Sequence, residues 1–238
     1  MSAWIEILAG LTTAGSVVAA GMLLLRSHLS RAFTAKCQYL IGKTALFFYL
    51  IPVFFILRRF SGTKHMIPDH GVAVAPNGFF ISAELALIIF FIWAAGGLLF
   101  AGWHLYCFCK FRLRINSSSR PAPQHSETAE LVSAYRRKLG IPGRVKVAYN
   151  NMIASPVLVG LFHPVILLPR ESRMSGADLG MVIHHELVHL KRKDLWVKML
   201  VVVAGAMHWF NPFVHKLRKE IHLWSELSCD EEVVKEMS

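Results

Sequence analysis

The pattern His-Glu-x-x-His at residues 185–189 constrains the fold of this 238-residue chain more than any other feature of its sequence. Residues four apart on a helix lie on the same face, so His185 and His189 can offer two imidazole nitrogens to one metal ion. Glu186 lies beside that face, within reach of a metal-bound water. Zn²⁺ takes nitrogen and carboxylate ligands and keeps one position open for water. The pattern therefore predicts a zinc site with Glu186 as the general base.

The flanking residues predict the helix that such a site requires. Ser175 and Asp178 form a Ser-x-x-Asp capping box, and the apolar residues that follow recur at helical spacing. Basic residues at 191–193 stand in the last turn, where the helix dipole favours positive charge. We therefore predict a helix over 176–193. The alternative, two core histidines that happen to be four apart, would leave two imidazoles and a carboxylate in need of partners.

A second motif, Glu226-Leu-Ser-Cys-Asp230, provides a candidate third ligand on a helix predicted over 213–236. Glu226 would complete a set of two histidines and one carboxylate. Asp230 lies one turn further along and is predicted to accept the free ring N–H of a ligand histidine. The alternative is an acidic, solvated face, because further glutamates follow. Cys229 is expected to point off the face that the two acids share, so we do not predict it as a ligand.

These motifs, together with Asn211-Pro212 and the run at 154–169, resemble the membrane-bound zinc peptidases related to the β-lactam sensors called BlaR and MecR. The resemblance rests on specific motifs over 125–236, whereas residues 1–115 match only as hydrophobic spans in number and order. It implies a gluzincin-type endopeptidase in which the two histidines of the first motif and Glu226 bind zinc and the first glutamate is the general base.

The composition indicates a membrane protein with a modest soluble part, since 54% of the residues are apolar, 17% are charged and the mean hydropathy is +0.45. Spans of sufficient length are predicted over 3–25, 38–57 and 79–103, within a transmembrane region at 1–114. The net charge of +11 is attributed to membrane topology and anionic lipid. No direct nucleic-acid binding is predicted, because no such motif is present.

The distribution of basic residues predicts the orientation. The first and third loops carry seven lysines and arginines, and the N-terminus and second loop carry three. The positive-inside rule then places the N-terminus outside and the segment after the third span in the cytoplasm of what we interpret as a bacterial cell. Two ionisable residues within the predicted spans, Lys43 and Glu84, are expected to pair as a structural contact between spans.

The remaining sequence predicts a linker at 115–125 and a soluble zinc-peptidase domain at 126–238. A helix is predicted from Ser126 to Leu139. Strands of a small sheet are predicted over 145–149, 154–162 and 164–168. Two interpretations of the 152–168 region are left open: an edge strand that holds an extended substrate, or ordinary core strands.

The apolar segment 195–209 is predicted to pack against the membrane or the bundle without crossing, because a span here would separate Glu226 from His189 by a bilayer. Asp194 is predicted either to form a hydrogen bond near the site or to cap this helix. Three later histidines are candidates for oxyanion donors, but surface or packing roles are favoured: His208, His215 and His222.

The fold class predicted overall is mainly α: a polytopic helical membrane bundle plus a small α/β gluzincin-type domain. The predicted reaction is zinc-dependent hydrolysis of peptide bonds in a cytoplasmic or membrane-proximal protein. The resemblance implies regulatory proteolysis in signal transduction, such as inactivation of a transcriptional repressor. Expected partners are the lipid bilayer and that protein substrate, and homodimerisation is left open. The alternatives are a non-catalytic receptor or scaffold with a structural zinc site, and a membrane quality-control protease.

The β-lactam sensors that carry these motifs continue into a further span and an extracellular binding domain, whereas this sequence ends at Ser238. We therefore expect either a fragment or a relative without the sensor domain, and a response to β-lactams is left open.

Overall fold

The structure, a computed structural model, describes residues 3–25, 32–52, 82–123, 126–170 and 176–237. Its elements are α1 (Ala3–Leu24), α2 (Ala35–Leu50), α3 (Ala83–Ser118), β1 (Ser119–Pro121), α4 (Glu127–Lys138), β2 (Lys146–Asn150), β3 (Val157–Val159), β4 (Val165–Pro169), α5 (Gly176–Lys191), α6 (Asp194–Met207) and α7 (Pro212–Met237). The predicted class, mainly helical with a small sheet, is confirmed at this level.

The sheet has the strand order β1-β2-β4-β3. The two central strands are parallel, and β1 and β3 pair antiparallel at the two edges. The predicted linker at 115–125 differs from the structure in its first part, where 115–118 continue α3 and 119–121 form β1. These residues are ordered by backbone pairing with β2 and by Asn150, whose side-chain amide donates to the carbonyl oxygen of Ile115 at 3.3 Å.

Helix α5 forms because its apolar residues make one buried stripe against the sheet. Ile183, Leu187 and Val188 are fully buried, in a core that also contains Ile166 of β4 and Val233 of α7. The predicted cap Ser175 lies outside the described residues. The amphipathic spacing therefore fixes the rotation of α5, and with it the direction of the His-Glu-x-x-His side chains.

A tight corner joins α5 to α6. Lys193 adopts a left-handed conformation (φ 58°, ψ 35°), as is common just beyond a helix C-terminus, and its N–H donates to the carbonyl oxygen of Leu190 at 3.1 Å. Because the corner is so short, Asp194 begins the next helix directly beside the last turn of α5.

A second core joins α1, α2, α6 and α7. Tyr49, Ala204 and Leu217 are among its most buried residues. The predicted segment 195–209 is largely α6, and its packing against the bundle is confirmed by contacts with α2, α3 and α7. That this segment does not cross the membrane stays a prediction.

The prediction of a three-span polytopic bundle is corrected. Among the described helices, two are long and apolar enough to cross a membrane by length and composition: α1 over Trp4–Leu24 and α3 over Ala83–Ser118. The predicted second span at 38–57 corresponds to α2, which has 16 residues, and residues 53–57 lie outside the described part. About 20 apolar residues are needed for a span, and the buried face of α2 includes polar Gln38.

Helix α3 is longer than the predicted span at 79–103. It continues to Ser118 through Lys110, Arg112 and Arg114, because lysine and arginine are good helix formers even where they end an apolar run. Residues 79–81, and the second loop used in the orientation argument, lie outside the described residues. The orientation therefore stays a prediction.

Helix α3 contacts the end of α6 very closely. A Cβ added to Gly96 would lie 2.2 Å from a ring atom of Trp209, so only glycine permits this approach. Two indoles fix the contact reciprocally: Trp93 donates to the carbonyl oxygen of Met207 at 2.8 Å, and Trp209 donates to that of Trp93 at 3.1 Å.

The predicted ion pair between Lys43 and Glu84 is not formed in the described structure. The Lys43 ammonium lies over the ring of Tyr39, 4.3 Å from its centroid. Glu84 occupies the first turn of α3, where the helix dipole favours a negative charge.

Candidate metal centre

Three predicted ligand atoms converge at one point between α5 and α7. The Nε2 atoms of His185 and His189 lie 3.1 Å apart. Oε2 of Glu226 lies 3.7 Å from the first and 3.4 Å from the second. Tetrahedral zinc with bonds of about 2.0–2.1 Å to nitrogen and oxygen places its ligand atoms about 3.3–3.4 Å from one another. The spacing and chemistry of these donors therefore fit a zinc ion.

Cys229 belongs to the same cluster, and the prediction that it points away is wrong. Its side chain is fully buried, and its sulfur and the ligand nitrogens of His185 and His189 all lie within 4.8 Å of one another. Residues three apart on a helix lie on the same face, as do residues four apart. Cys229, three residues after Glu226, therefore faces the candidate metal position too. That spacing was the signal that the sequence analysis missed.

Each imidazole is held on its far side by a carboxylate. Nδ1 of His185 lies 3.1 Å from Oδ1 of Asp230, where the sequence analysis had placed such a partner. Nδ1 of His189 lies 2.8 Å from Oδ2 of Asp194. Both hydrogen bonds turn Nε2 toward the shared point and fix the tautomer that can bind a metal. Of the two predicted roles for Asp194, the structure has the hydrogen bond near the site.

The cluster favours positive charge strongly. Hydrogen bonds with Cys229 and Glu226 raise the pKa of His185 to about 10. Burial alone would lower the pKa of His189, but hydrogen bonds with Asp194, Cys229 and Glu226 outweigh it and raise that pKa to about 11. The two imidazoles in turn hold the pKa of Glu226 far below its usual range. An environment that stabilises two protonated imidazoles also favours a divalent cation.

Glu186 lies on α5 beside the cluster and is tied to the sheet. Burial raises its pKa above the usual value for a glutamate, although both imidazoles oppose that shift. Its Oε2 accepts a hydrogen bond from the backbone N–H of Leu158, at 2.8 Å. Leu158 is the central residue of β3, an edge strand of the sheet. The predicted general base therefore lies between the metal ligands and a sheet edge.

The three later histidines are placed differently from one another. His208 is buried between α1 and α2, 2.9 Å from Oγ1 of Thr12, and His215 contacts the carbonyl oxygen of Trp209. Both have packing roles, as favoured. His222 is at the site, with Nδ1 3.8 Å from Oε1 of Glu226.

Lys198 is a site residue that the sequence analysis did not assign. Its ammonium lies 3.5 Å from Oε1 of Glu226. Its sequence signal was an isolated cation in an otherwise apolar helical segment. Lys198 lies four residues, or about one helical turn, after Asp194 on α6.

A family model described as BlaR1 peptidase M56 matches residues 6–238 of the chain. The chain is similar to the regulatory protein BlaR1 of Bacillus licheniformis, with 33% identity over 112 residues that cover 47% of this chain and 19% of that protein. It is similar to the methicillin resistance mecR1 protein of Staphylococcus aureus, with 26% identity over 186 residues that cover 74% of this chain and 31% of that protein. The same figures hold for the mecR1 protein of Staphylococcus epidermidis. The chain thus spans less than a third of the length of these relatives.

Proposed function

The chain belongs to the BlaR1 peptidase M56 family, and from that membership and the geometry of the metal centre we propose that it is a membrane-anchored zinc endopeptidase. One observation supports the zinc centre most directly. Two imidazole nitrogens and one carboxylate oxygen, from helices far apart in sequence, converge to within 3.7 Å beside a half-buried glutamate.

His185, His189 and Glu226 are the residues that would hold Zn²⁺. The ion, when bound, would polarise the scissile carbonyl and acidify the attacking water. Glu186 then acts as the general base, removing a proton from the water and delivering it to the leaving amine. Its raised pKa suits both transfers, because a base that must later act as an acid works best near the operating pH.

The substrate in this proposal is a protein segment bound in an extended conformation along β3. Leu158 directs its N–H away from β4 and onto Glu186, so the free edge of β3 runs beside the general base. An extended segment adding to this edge would pair with the carbonyl oxygen of Leu158, and with its N–H once Glu186 releases it, with little dependence on sequence. This supports the edge-strand interpretation of the 152–168 region.

The biological role that we propose is regulatory proteolysis in a bacterial membrane. Two apolar helices suit anchoring in a bilayer, and we propose that the metal centre, which follows the second of them, is on the cytoplasmic side. One relative bears the name of a regulatory protein and another that of a resistance protein. A cytoplasmic transcriptional repressor is accordingly the substrate class that we propose, and a second copy of the chain is a further partner to test.

The test of this proposal is Glu186→Gln. The amide keeps the size of the side chain and can still accept from Leu158, but it cannot take a proton, so cleavage falls by a factor on the order of 10²–10⁴ while zinc stays bound. Protein N-termini in cells with wild-type chain are compared with those in cells with the variant, and zinc content is measured on both purified proteins. Cleavage by the variant at the wild-type rate would contradict the mechanism.

A second candidate function, a receptor or scaffold with a structural zinc site, is favoured by the position of Cys229. A structural site is closed by four protein ligands, and the thiol would make the fourth. Cys229→Ala separates the two functions. A closed site would lose zinc affinity and stability together, whereas a peptidase site retains zinc and its cleavage activity.

A further inference from the structure

Asp194 connects the metal centre to a part of the chain that the peptidase motifs do not include. Its carboxylate is 1% exposed. Oδ2 accepts from Nδ1 of His189 at 2.8 Å and from the hydroxyl of Ser225 at 3.1 Å. Oδ1 accepts from the phenol of Tyr39 at 2.7 Å. The orientation of His189 therefore depends on a carboxylate that is itself held by two hydroxyl donors and lies 3.5 Å from Nε of Arg192.

Tyr39 comes from α2, 155 positions away in the chain. Its ring is 2% exposed. The guanidinium of Arg192 lies over the ring, 4.7 Å from its centroid, and the ammonium of Lys43 lies 4.3 Å from it. Cations near an aromatic face are attracted to it, and a buried ring with two such neighbours has little freedom to move. The phenol is thus held in one direction, toward Asp194.

Helix α2 is also attached to the helix that carries Glu226. The backbone N–H of Ala35, in its first turn, donates to Oε1 of Glu231 at 3.1 Å. The first residue of α2 is therefore fixed to α7, and Tyr39, one turn later, is fixed to the corner between α5 and α6. A single short helix touches both elements that bring the metal ligands together.

We infer that Tyr39 is a positioning residue of the metal centre: it orients Asp194, and through Asp194 it orients His189, so that α2 is a functional part of the site. The inference rests on the proposed zinc site. Without the phenol, one carboxylate oxygen loses its donor, the carboxylate can rotate, and the hydrogen bond to His189 loosens. Losing a direct partner of a ligand histidine lowers metal affinity or activity by about 10–100-fold, and we expect the loss of Tyr39, one hydrogen bond further out, to lie at the low end of that range.

The chain offers a matched control for this inference. Tyr49 lies on the same helix, is fully buried, and its hydroxyl forms hydrogen bonds with Ser16 and Asn211 at 3.1 and 3.3 Å. Tyr49→Phe removes the same atom from the same helix, but from a hydrogen-bond network without a metal ligand.

The experiment uses the full chain in lipid nanodiscs, with Glu186→Gln as the background so that metal binding is read without turnover. Zinc affinity is measured by competition with a chromophoric chelator, and ligand geometry by the visible absorption of the Co²⁺-substituted protein. Tyr39→Phe should lower zinc affinity about 10-fold or more and change the Co²⁺ spectrum. Tyr49→Phe should leave both as in the background protein.

Two results would overturn the inference: an unchanged affinity and spectrum in Tyr39→Phe, or equal losses in both tyrosine variants, which would indicate general destabilisation. The proposed function fails separately. If the chain with Glu186 intact cleaves nothing while Tyr39→Phe still changes the Co²⁺ spectrum, the positioning role holds and the peptidase does not. If cleavage is found while Tyr39→Phe leaves zinc affinity and the Co²⁺ spectrum unchanged, the peptidase function holds and the positioning role does not.

Discussion

The two histidines of one motif are held by the same kind of bond in two different environments. His185 is oriented by Asp230, whose side chain is 62% exposed, and His189 by Asp194, whose side chain is 1% exposed. Water competes for the first hydrogen bond and is excluded from the second, so the buried pair has the stronger electrostatic interaction. The candidate metal centre therefore has a firmly fixed ligand, His189, on its buried inner side, and a more adaptable ligand, His185, on its exposed outer side.

The largest effect that we expect is on the pH dependence of zinc affinity. The pKa values of about 10 for His185 and about 11 for His189 mean that, at the proposed site, a zinc ion would displace protons from both imidazoles at neutral pH. Affinity should therefore rise with pH, approaching about 100-fold per pH unit for two released protons. Chelator competition between pH 6.5 and 9 measures this, and an affinity independent of pH would contradict it.

The same shifts fix the sign of the stability change in protein stripped of metal. Both folded-state pKa values lie above the ordinary histidine value of about 6.5. Their contribution to the free energy of unfolding is therefore complete below about pH 6.5 and is lost as pH rises through about 10–11. His189, on the inner side, should lose its contribution last.

The next effect is that of Asp194→Asn, which removes the inner carboxylate charge and keeps its shape. Arg192 and His189 lose their negative partner, and breaking a buried charged pair costs about 3–5 kcal/mol. We expect this loss in the free energy of unfolding and a fall in zinc affinity of about 10–100-fold. Denaturant unfolding and chelator competition measure the two. A variant as stable as wild type would mean that the inner pair is not stronger.

The smallest effect is expected for Asp230→Asn, the matched change on the outer side. Exposed charge pairs contribute about 0–1 kcal/mol, so the free energy of unfolding should change by no more than this. Zinc affinity should fall less than in Asp194→Asn. Equal losses of zinc affinity in Asp194→Asn and Asp230→Asn under the same conditions would contradict the difference that we infer between the inner and outer sides.

The parts of the site that the sequence predicted are those governed by local spacing. Helix α5, the shared face of His185 and His189, and the shared face of Glu226 and Asp230 follow from residues four apart on a helix. That the two motifs meet in one site was expected from their pairing and from the family resemblance, not from spacing. Cys229 shares the face of Glu226 by the three-residue spacing and was missed because only the four-residue spacing was applied.

The parts that could not be predicted depend on contacts between distant segments. The position of Asp194 follows from the left-handed corner at Lys193, a conformation that lysine does not signal. Tyr39 lies in a segment whose composition suggested a lipid-embedded span, and no periodicity within α2 indicates a partner 155 positions away. The length of α3 was underestimated because the apolar run ends before the helix does.

The length of α3 has a geometric consequence for substrate choice. Thirty-six residues extend about 54 Å at about 1.5 Å per residue, and the hydrocarbon core of a bilayer is about 30 Å thick. On the proposed membrane placement, about 24 Å of rigid rod emerges before the chain turns directly into β1. The strand edge beside Glu186 is then carried at a set height above the lipid. On the proposed function, the enzyme would therefore select substrates partly by the distance from the membrane at which they can present an unfolded segment.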